Sequence, residues 1–305
     1  MCSTFKFKNC VGRNFDFDVS YKEQIIQIPK YQYYNIYDII GVASGITDEY
    51  PLMYDGMNEK GLVCTALAFN GNAYYEPLNS IIDKKKSVAI RPYEFVFGIL
   101  SRCDSVDEVK KLLNKSLISD ESYSDELQNS DLHWFIADEK ESIIVEQTKD
   151  GLKIYDGSVM TNNPPYDLQV ELCDIFSQMI GDLPFKALFK YSSYETRGLE
   201  TINLNGDYTS FGRFERLTYL KNNLEKNKNS FDEINQSFHL LGSVEQIYGS
   251  TPVDDGFEYT IYSVVYDMKD LVMYVKPYYT YTLVFRDMNF ENEERWDLWF
   301  MIQYF

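Results

Sequence analysis

The stretch that decides the fold is MCSTFKFKNCVGRNFDFD, residues 1–18. Apolar and polar side chains alternate in STFKFK and again in NFDFDV, a period of two that predicts β-strands. Cys2 follows the initiator Met1 directly, and its small side chain permits removal of Met1. The mature chain is then expected to start at Cys2, which would carry a thiol and a free α-amine on one carbon.

A cysteine in that position can supply its own base. An α-amine titrates near ~7.7 and a thiol near ~8.5, so the amine can accept the thiol proton directly or through a water. No histidine is then needed, as in enzymes that pair an N-terminal threonine with its own amine. Taken alone, Cys2 is also compatible with an accidental cysteine.

Arg13 and Asp16 are the polar candidates closest to Cys2 in the sequence. Their spacing of three places them on opposite faces of an extended strand, unless the strand ends or bulges between them. A carboxylate near Cys2 would orient the α-ammonium group, and a guanidinium would favour the thiolate. An ordinary surface ion pair is the alternative.

Length and charge narrow the class of protein. The chain has 305 residues, 45% of them hydrophobic, and we expect a single domain over 1–305. The net charge of −18 argues against nucleic acid and anionic membrane surfaces as partners. Neither an apolar run of ~18 residues nor a signal-peptide core is present, so neither membrane insertion nor secretion is expected.

The five scattered cysteines include no C-x-x-C pair, which suggests neither a disulfide framework nor a zinc site. A reducing cytoplasm fits this pattern. The 26 tyrosines and 20 phenylalanines indicate a large β-rich core, and an aromatic pocket for a bulky apolar ligand is compatible with the same composition.

The order of predicted elements is strands, helices, strands, helices, strands. Helical spacing marks RPYEFVFGILSRC, SVDEVKKLLNK with Ser105 and Glu108 at capping-box spacing, DLQVELCDIFSQMI, SFGRFERLTYLKNNLEK and FDEINQSFHLLGSV. Strands are predicted at EQIIQIP, YDIIGVAS, KGLVCTALAF, the hairpin DLHWFIADE and SIIVEQT, FEYTIYSVVYDM, LVMYVKP and TYTLVFRDM. This order predicts an α+β domain with helices covering antiparallel sheets.

Common catalytic motifs do not occur. The sequence lacks a phosphate-binding G-x-x-x-x-G-K-[ST] loop, G-x-G-x-x-G, H-E-x-x-H and G-x-S-x-G, and no cofactor or metal is expected. His133 lies in a predicted strand and His239 in a predicted helix. Both are interpreted as structural residues.

Several segments, in order along the chain, resemble the choloylglycine hydrolase family of bile salt hydrolases and penicillin V acylases. They are the initial MC, GRNFDFD with IIQIPKYQYY, YPLMYDGMNEKGLVCTAL, LHWFIADEKESIIVEQTKDGL, VMTNNPPYDLQ, GDYTSFGRFERLTYL and YTIYS. The resemblance implies an N-terminal-nucleophile hydrolase with a four-layer αββα sandwich. It also implies hydrolysis of a linear amide.

The resemblance assigns catalytic roles residue by residue. Cys2 matches the nucleophile, Arg13 and Asp16 match the pair that holds the thiol and the amine, and Arg213 matches a second arginine near the nucleophile. Asn162 matches the side-chain donor to the oxyanion. The family's second oxyanion donor is a backbone N–H, which falls here on Ala68.

Three features depart from the family pattern. Ala68 replaces the asparagine of bile salt hydrolases or the tyrosine of penicillin V acylases. YETRGLETINLNGD is charged and poor in glycine where relatives have a glycine-rich loop at the substrate mouth, a region that also contributes to tetramer assembly. The tail RWDLWFMIQYF has no counterpart. Its aromatic content suggests packing against the body of the protein or against a partner, and packing against the body is expected.

The substrate expected from the resemblance is a small amphipathic amide. Glycine- or taurine-conjugated bile salts come first, penicillin V or another N-acyl amide second, and a non-catalytic protein that binds an amphipathic ligand third. A homodimer or homotetramer is compatible with the resemblance.

Overall fold

The N-terminal stretch forms two adjacent strands, as its alternation predicts. β1 (Cys2–Phe7) and β2 (Cys10–Phe17) run antiparallel, with Cys2 opposite Phe15. The structure is a computed structural model. It describes residues 1–47, 50–181, 201, 204–224, 230–280 and 282–298, without the side chains of 176–181 and 230–231.

The other strands follow in chain order. They are β3 (Gln24–Ile28), β4 (Ile39–Ala43), β5 (Met53–Asn58), β6 (Val63–Ala68), β7 (Val88–Ile90), β8 (Ser116–Ile118), β9 (Leu132–Ala137), β10 (Ser142–Thr148), β11 (Gly151–Asp156), β12 (Val159–Met160), β13 (Thr251–Val253), β14 (Gly256–Asp267), β15 (Val272–Pro277), β16 (Val284–Asp287) and β17 (Glu294–Asp297). The predicted hairpin of β9 and β10 is confirmed. Of these strands, β5 and β11 are the longest that sequence patterning did not predict.

All five predicted helices are present, and one short helix, Ser80–Asp83, was not predicted. The first predicted helix, RPYEFVFGILSRC, is shorter than its pattern and starts as a 3₁₀ turn. The helices are α1 (Ser80–Asp83), a 3₁₀ turn (Pro92–Glu94) continuous with α2 (Phe95–Leu100), α3 (Val106–Asn114), α4 (Tyr166–Gly181), α5 (Ser210–Asn223) and α6 (Ser230–Ser243). Ser105 caps α3 by accepting from the Glu108 N–H at 3.5 Å. The Glu108 side chain accepts from Asp104 N rather than from Ser105 N, so half of the predicted capping box forms.

Two antiparallel sheets make up the centre of the molecule. The first has the order β12-β1-β2-β14-β15-β16, with β13 paired to β14. The second has the order β11-β10-β9-β6-β5-β4-β3-β17. β7 and β8 form a small parallel pair beside them.

Apolar clusters define four layers. Val11, Ile40 and Tyr262 belong to a cluster between the two sheets. A second cluster joins the outer face of the second sheet to α2 and α3, with Phe95 stacked on Trp134 at 4.0 Å between ring centroids. A third cluster packs α5 and α6 on the outer face of the first sheet. The predicted αββα arrangement is therefore confirmed.

The described part of the C-terminal tail packs against the body of the protein. β17 pairs with β3, and Leu298 is buried in the cluster between the sheets. Residues 299–305 lie outside the described residues, as does most of YETRGLETINLNGD. No helix within the described residues has the length and apolar character needed to cross a bilayer.

Candidate active site

Cys2 lies at the start of β1, with its side chain between the two sheets and only 4% of the residue exposed. Its backbone N–H donates to Asn162 Oδ1 at 2.7 Å. The Met1 amine before it donates to the Asp16 carbonyl oxygen at 2.7 Å and pairs with Glu258. The Asp16 N–H donates back to the Met1 carbonyl oxygen at 2.9 Å. The first peptide bond is thus tied to the end of β2.

Arg13 reaches Cys2 from the neighbouring strand. Its Nη2 lies 3.8 Å from Cys2 Sγ and donates to the Ala66 carbonyl oxygen at 2.7 Å. Burial lowers the pKa of the Arg13 guanidinium, but Tyr262, Asp55 and Cys2 more than reverse that effect, and the pKa stands above its usual value. Arg13 therefore carries a permanent positive charge beside the thiol.

Asp16 lies on the other face of β2, as its spacing from Arg13 predicts for an uninterrupted strand. The irregularity lies in the partner strand β14, between Thr260 and Tyr262. The Asp16 carboxylate accepts from Thr260 Oγ1 at 2.6 Å and from Gln246 Nε2 at 2.9 Å. It contacts the peptide between Met1 and Cys2 through its backbone rather than its carboxylate.

Asn162 follows β12 and connects the two sheets near the thiol. Its Nδ2 donates to the Ala68 carbonyl oxygen at 2.8 Å. Phe69 N donates to the Asp131 carbonyl oxygen, so Ala68 stands opposite Leu132 in a non-hydrogen-bonded pair. The Ala68 N–H and C=O therefore point away from β9, toward Asn162. The Ala68 N–H is therefore not used in pairing with β9, as the donor role implied by the resemblance would require.

Arg213, in the first turns of α5, closes the cluster from the helical layer. Its Nη1 donates to the Cys2 carbonyl oxygen at 2.6 Å, and its Nη2 donates to Asn162 Oδ1 at 3.0 Å. Nη1 also lies 3.6 Å from the Asp16 carboxylate. Burial lowers the pKa of Arg213, and Asp16 and Cys2 oppose that effect. The structure thus brings together all six residues named from the sequence.

A cavity of about 370 Å³ opens onto Cys2, Arg13 and Ala68. Most of its exposed lining is apolar, with Leu52, Met53 and Leu132 among the aliphatic side chains. The aromatic lining residues are Phe15, Phe17, Tyr21, Tyr54, Tyr93 and Tyr123. This cavity can hold a bulky apolar group with one reactive end at the thiol.

His133 and His239 occupy different environments. His133 is buried, with Nδ1 3.2 Å from Glu146 Oε1 and its ring stacked on Phe69. His239 is exposed on α6. No cluster of three or more metal-binding side chains occurs among the described residues.

Three polar partners of the site were not found from the sequence. Thr260 and Gln246 hold the Asp16 carboxylate, and Asp55 accepts from Arg13. Asp55 lies inside YDGMNEKGL, one of the segments that carries the family resemblance. Its burial requires a partner for the charge, but that burial is known only from the structure, because β5 was not predicted as a strand.

The sequence-family model described as linear amide C–N hydrolases, choloylglycine hydrolase family, matches residues 1–297 of this chain. The chain belongs to the choloylglycine hydrolase family. It is an enzyme of the amidohydrolase class that cleaves linear amide bonds. The family inferred from the sequence motifs is thereby confirmed.

Two bacterial bile salt hydrolases/transferases are similar to this choloylglycine hydrolase over most of its length. A bile salt hydrolase/transferase of Lactiplantibacillus plantarum is 38% identical over 296 residues, which cover 91% of this chain and 89% of the relative. A bile salt hydrolase/transferase of Clostridium perfringens is 32% identical over 297 residues, covering 92% and 89%.

Solved structures agree with the four-layer fold of the family. The C2A mutant of conjugated bile acid hydrolase from Clostridium perfringens superimposes with a TM-score of 0.82 at 28% identity, covering 97% of this chain and 96% of that one. Penicillin V acylase from Agrobacterium tumefaciens superimposes with a TM-score of 0.75 at 20% identity, covering 98% and 92%. At 20% identity, the match to penicillin V acylase supports a shared fold only.

Proposed function

We propose that this enzyme removes glycine or taurine from conjugated bile salts by hydrolysing their amide bond through a Cys2 thioester. The observation that carries the proposal is the cavity, whose aromatic and aliphatic wall ends at the Cys2 thiol. The apolar faces of a steroid acyl group fit such a wall. The identity of 38% to a bile salt hydrolase/transferase supports the same substrate class.

The proposed reaction begins once Met1 has been removed. The Cys2 α-amine takes the thiol proton, and the thiolate attacks the amide carbonyl carbon to form the C–S bond. Arg13 Nη2, 3.8 Å from Sγ, stabilises the thiolate. As the tetrahedral intermediate collapses, the C–N bond breaks and the α-ammonium gives its proton to the leaving amine.

Hydrolysis of the thioester completes the cycle. The α-amine takes a proton from water, the resulting hydroxide adds to the thioester carbon, and the C–S bond breaks to release the carboxylic acid and regenerate Cys2. In both steps the oxyanion accepts from the Ala68 N–H and from Asn162 Nδ2, which has a second hydrogen besides the one donated to the Ala68 carbonyl oxygen. Each such donor lowers the barrier by roughly 2.7–4 kcal/mol.

Asp16 and Arg213 hold this reacting group in place. Asn162 Oδ1 accepts from the Cys2 nitrogen, and Arg213 binds both Asn162 Oδ1 and the Cys2 carbonyl oxygen. The Asp16 carboxylate lies 3.6 Å from Arg213 and partly neutralises its charge. The Asp16 carbonyl oxygen accepts a hydrogen bond from the Met1 amine. The role of Asp16 and Arg213 is to hold the nucleophile and the oxyanion donors in fixed positions relative to each other.

Penicillin V or another N-acyl amide is the alternative substrate. Phe15 stacks on the buried Tyr262 at 5.2 Å between ring centroids and meets Tyr54 in a tilted contact at 4.7 Å. Phe15 and Tyr54 line the cavity, and an aromatic acyl group would pack against them. A non-catalytic ligand-binding role is the third and weakest candidate. It would be supported by a ligand that binds and returns chemically unchanged.

Product analysis separates these substrates. Purified enzyme is incubated with glycocholate, taurocholate and penicillin V, and free glycine, taurine and the β-lactam nucleus are quantified, with Cys2→Ala as the blank. We expect release from at least one bile salt at a higher kcat/KM than from penicillin V. Release of the β-lactam nucleus alone would overturn the bile-salt assignment and favour the alternative.

Two further properties belong to the proposal. All five cysteines lie in the described part of the chain and are free thiols, which supports a cytoplasmic location. A homodimer or homotetramer is proposed from the family resemblance. Cell fractionation and light scattering of the purified protein test the two statements.

A further inference from the structure

Asp55 is a fully buried carboxylate that joins the two sheets behind the thiol. It belongs to β5 of the second sheet, and none of its surface is exposed. Its three hydrogen-bond donors all come from the first sheet. Arg13 Nη1 and the Tyr262 hydroxyl donate to Oδ2, the latter at 2.6 Å, and the Tyr266 hydroxyl donates to Oδ1.

These contacts fix the Arg13 guanidinium in one orientation. Its Nη1 edge is held by Asp55 and by Tyr262 Oη at 3.0 Å. Its Nη2 edge is thereby left facing Cys2 Sγ at 3.8 Å and the Ala66 carbonyl oxygen at 2.7 Å. The ring of Phe15 covers the guanidinium, with Cζ 5.0 Å from the ring centroid.

The two tyrosine hydroxyls serve as donors to Asp55 at neutral pH. Burial raises the pKa of Tyr262, and Asp55 adds to that rise while Arg13 opposes it. Burial and then Asp55 raise the pKa of Tyr266. Both hydroxyls therefore stay protonated and share the negative charge of Asp55.

We propose that Asp55, supported by Tyr262 and Tyr266, is a positioning residue that aims Arg13 at the nucleophile and partly neutralises it. The proposal rests on the amide hydrolysis through Cys2 proposed above. A guanidinium without a counter-charge would stabilise the thiolate further, and an over-stabilised thiolate is a weaker nucleophile. Asp55 sets that balance from the far side of Arg13, without touching the substrate.

Asp55→Asn tests this role because it removes the charge and keeps the shape. The full chain, verified to begin at Cys2, is alkylated with iodoacetamide from pH 5 to pH 10, and kcat and KM are measured in parallel. We expect the pH midpoint of Cys2 alkylation to move down by about one unit. We also expect kcat to fall by about threefold with an unchanged KM, because a one-unit drop in the thiol pKa weakens the thiolate as a nucleophile by about that factor and the cavity is unchanged.

Asp267→Asn is the matched control. Asp267 is also a buried carboxylate, in β14, and its Oδ1 accepts from Lys269 N and Asp270 N, away from Cys2. Neither variant alters Asp16 or Arg213, the other charged side chains beside Cys2. A general loss of stability in Asp267→Asn would lower Tm without moving the alkylation midpoint.

An unmoved midpoint in a folded Asp55→Asn protein overturns the proposal. If that variant does not fold, Tyr266→Phe decides, because it removes one donor to Asp55 and keeps the charge pair. Asp55 then binds Arg13 more strongly, so the midpoint should move to higher pH, and an unmoved midpoint overturns the proposal. Alkylation needs no substrate. Failure of the proposed hydrolysis would therefore appear as an inactive wild type, separately from the alkylation result.

Discussion

The Cys2 backbone nitrogen lies 2.7 Å from Asn162 Oδ1, although 160 residues separate them in the chain. The same Asn162 amide donates from Nδ2 to the Ala68 carbonyl oxygen. One side chain therefore contacts both the Cys2 nitrogen and the end of β6, where Ala68 lies. Removal of Met1 would convert that Cys2 nitrogen into the α-amine already in contact with Asn162. The proposed site is therefore assembled around the nitrogen atom that removal of Met1 would expose.

Asn162→Ala should lower kcat by about 10²–10³ with a small change in KM, because an oxyanion donor acts in the transition state. Steady-state kinetics with the preferred substrate measure this. Asn223→Ala, on the exposed end of α5, is the control and should behave as wild type. An effect of Asn162→Ala confined to KM would contradict the oxyanion role.

Arg213→Lys should lower kcat by about tenfold to a hundredfold, since a lysine keeps the charge but cannot donate to Cys2 O and Asn162 Oδ1 together. Arg216→Lys is its matched control on the same helix. Arg216 donates to the carbonyl oxygens of Asn205 and Asp207, away from the thiol. Equal losses in both variants would point to a general defect of α5 rather than to contact with Cys2.

Iodoacetamide at pH 7.5 should label Cys2 before the other cysteines. Burial raises the pKa of Cys103 to about 12 and that of Cys173 to about 12, which leaves roughly one molecule in 10⁴ to 10⁵ as thiolate at this pH. Burial raises the pKa of Cys10 and Cys64 as well. Peptide mass mapping after substoichiometric labelling checks the order, and first labelling of Cys173 would contradict it.

Gly41→Ala should reduce the free energy of unfolding by about 1–3 kcal/mol, because the added methyl group would overlap the Asp55 carbonyl oxygen and lie 2.7 Å from Gly56 Cα. Urea denaturation measures the change. Gly98→Ala is the control, since nothing lies within 4 Å of its added methyl group in α2. That variant should be neutral or slightly more stable, as alanine is the better helix former.

The strands around the active site could be predicted from alternation, but their pairing could not. The pattern in STFKFK and NFDFDV locates β1 and β2, whereas β2 has β14 as its second neighbour, some 250 residues away. Local periodicity carries no information on such distant partners. β5 was missed because MYDGMN is buried on both faces and does not alternate.

The residues of the candidate site could be predicted because of the family resemblance, not because of local patterning. Spacing alone left Arg13 and Asp16 as either catalytic groups or a surface ion pair, and the resemblance chose between them. Burial of both side chains now removes the surface alternative. Asp55 could not be assigned, because its role depends on Tyr262 and Tyr266 reaching it across the two sheets.

Intact-protein mass spectrometry of the purified enzyme, paired with amine release from glycocholate, taurocholate and penicillin V, tests the central claim most directly. The account predicts a mass that lacks Met1, together with turnover of at least one of these amides. It also predicts that a folded Cys2→Ala protein releases no amine. Turnover by enzyme that retains Met1, or by verified Cys2→Ala protein, would contradict an N-terminal cysteine nucleophile.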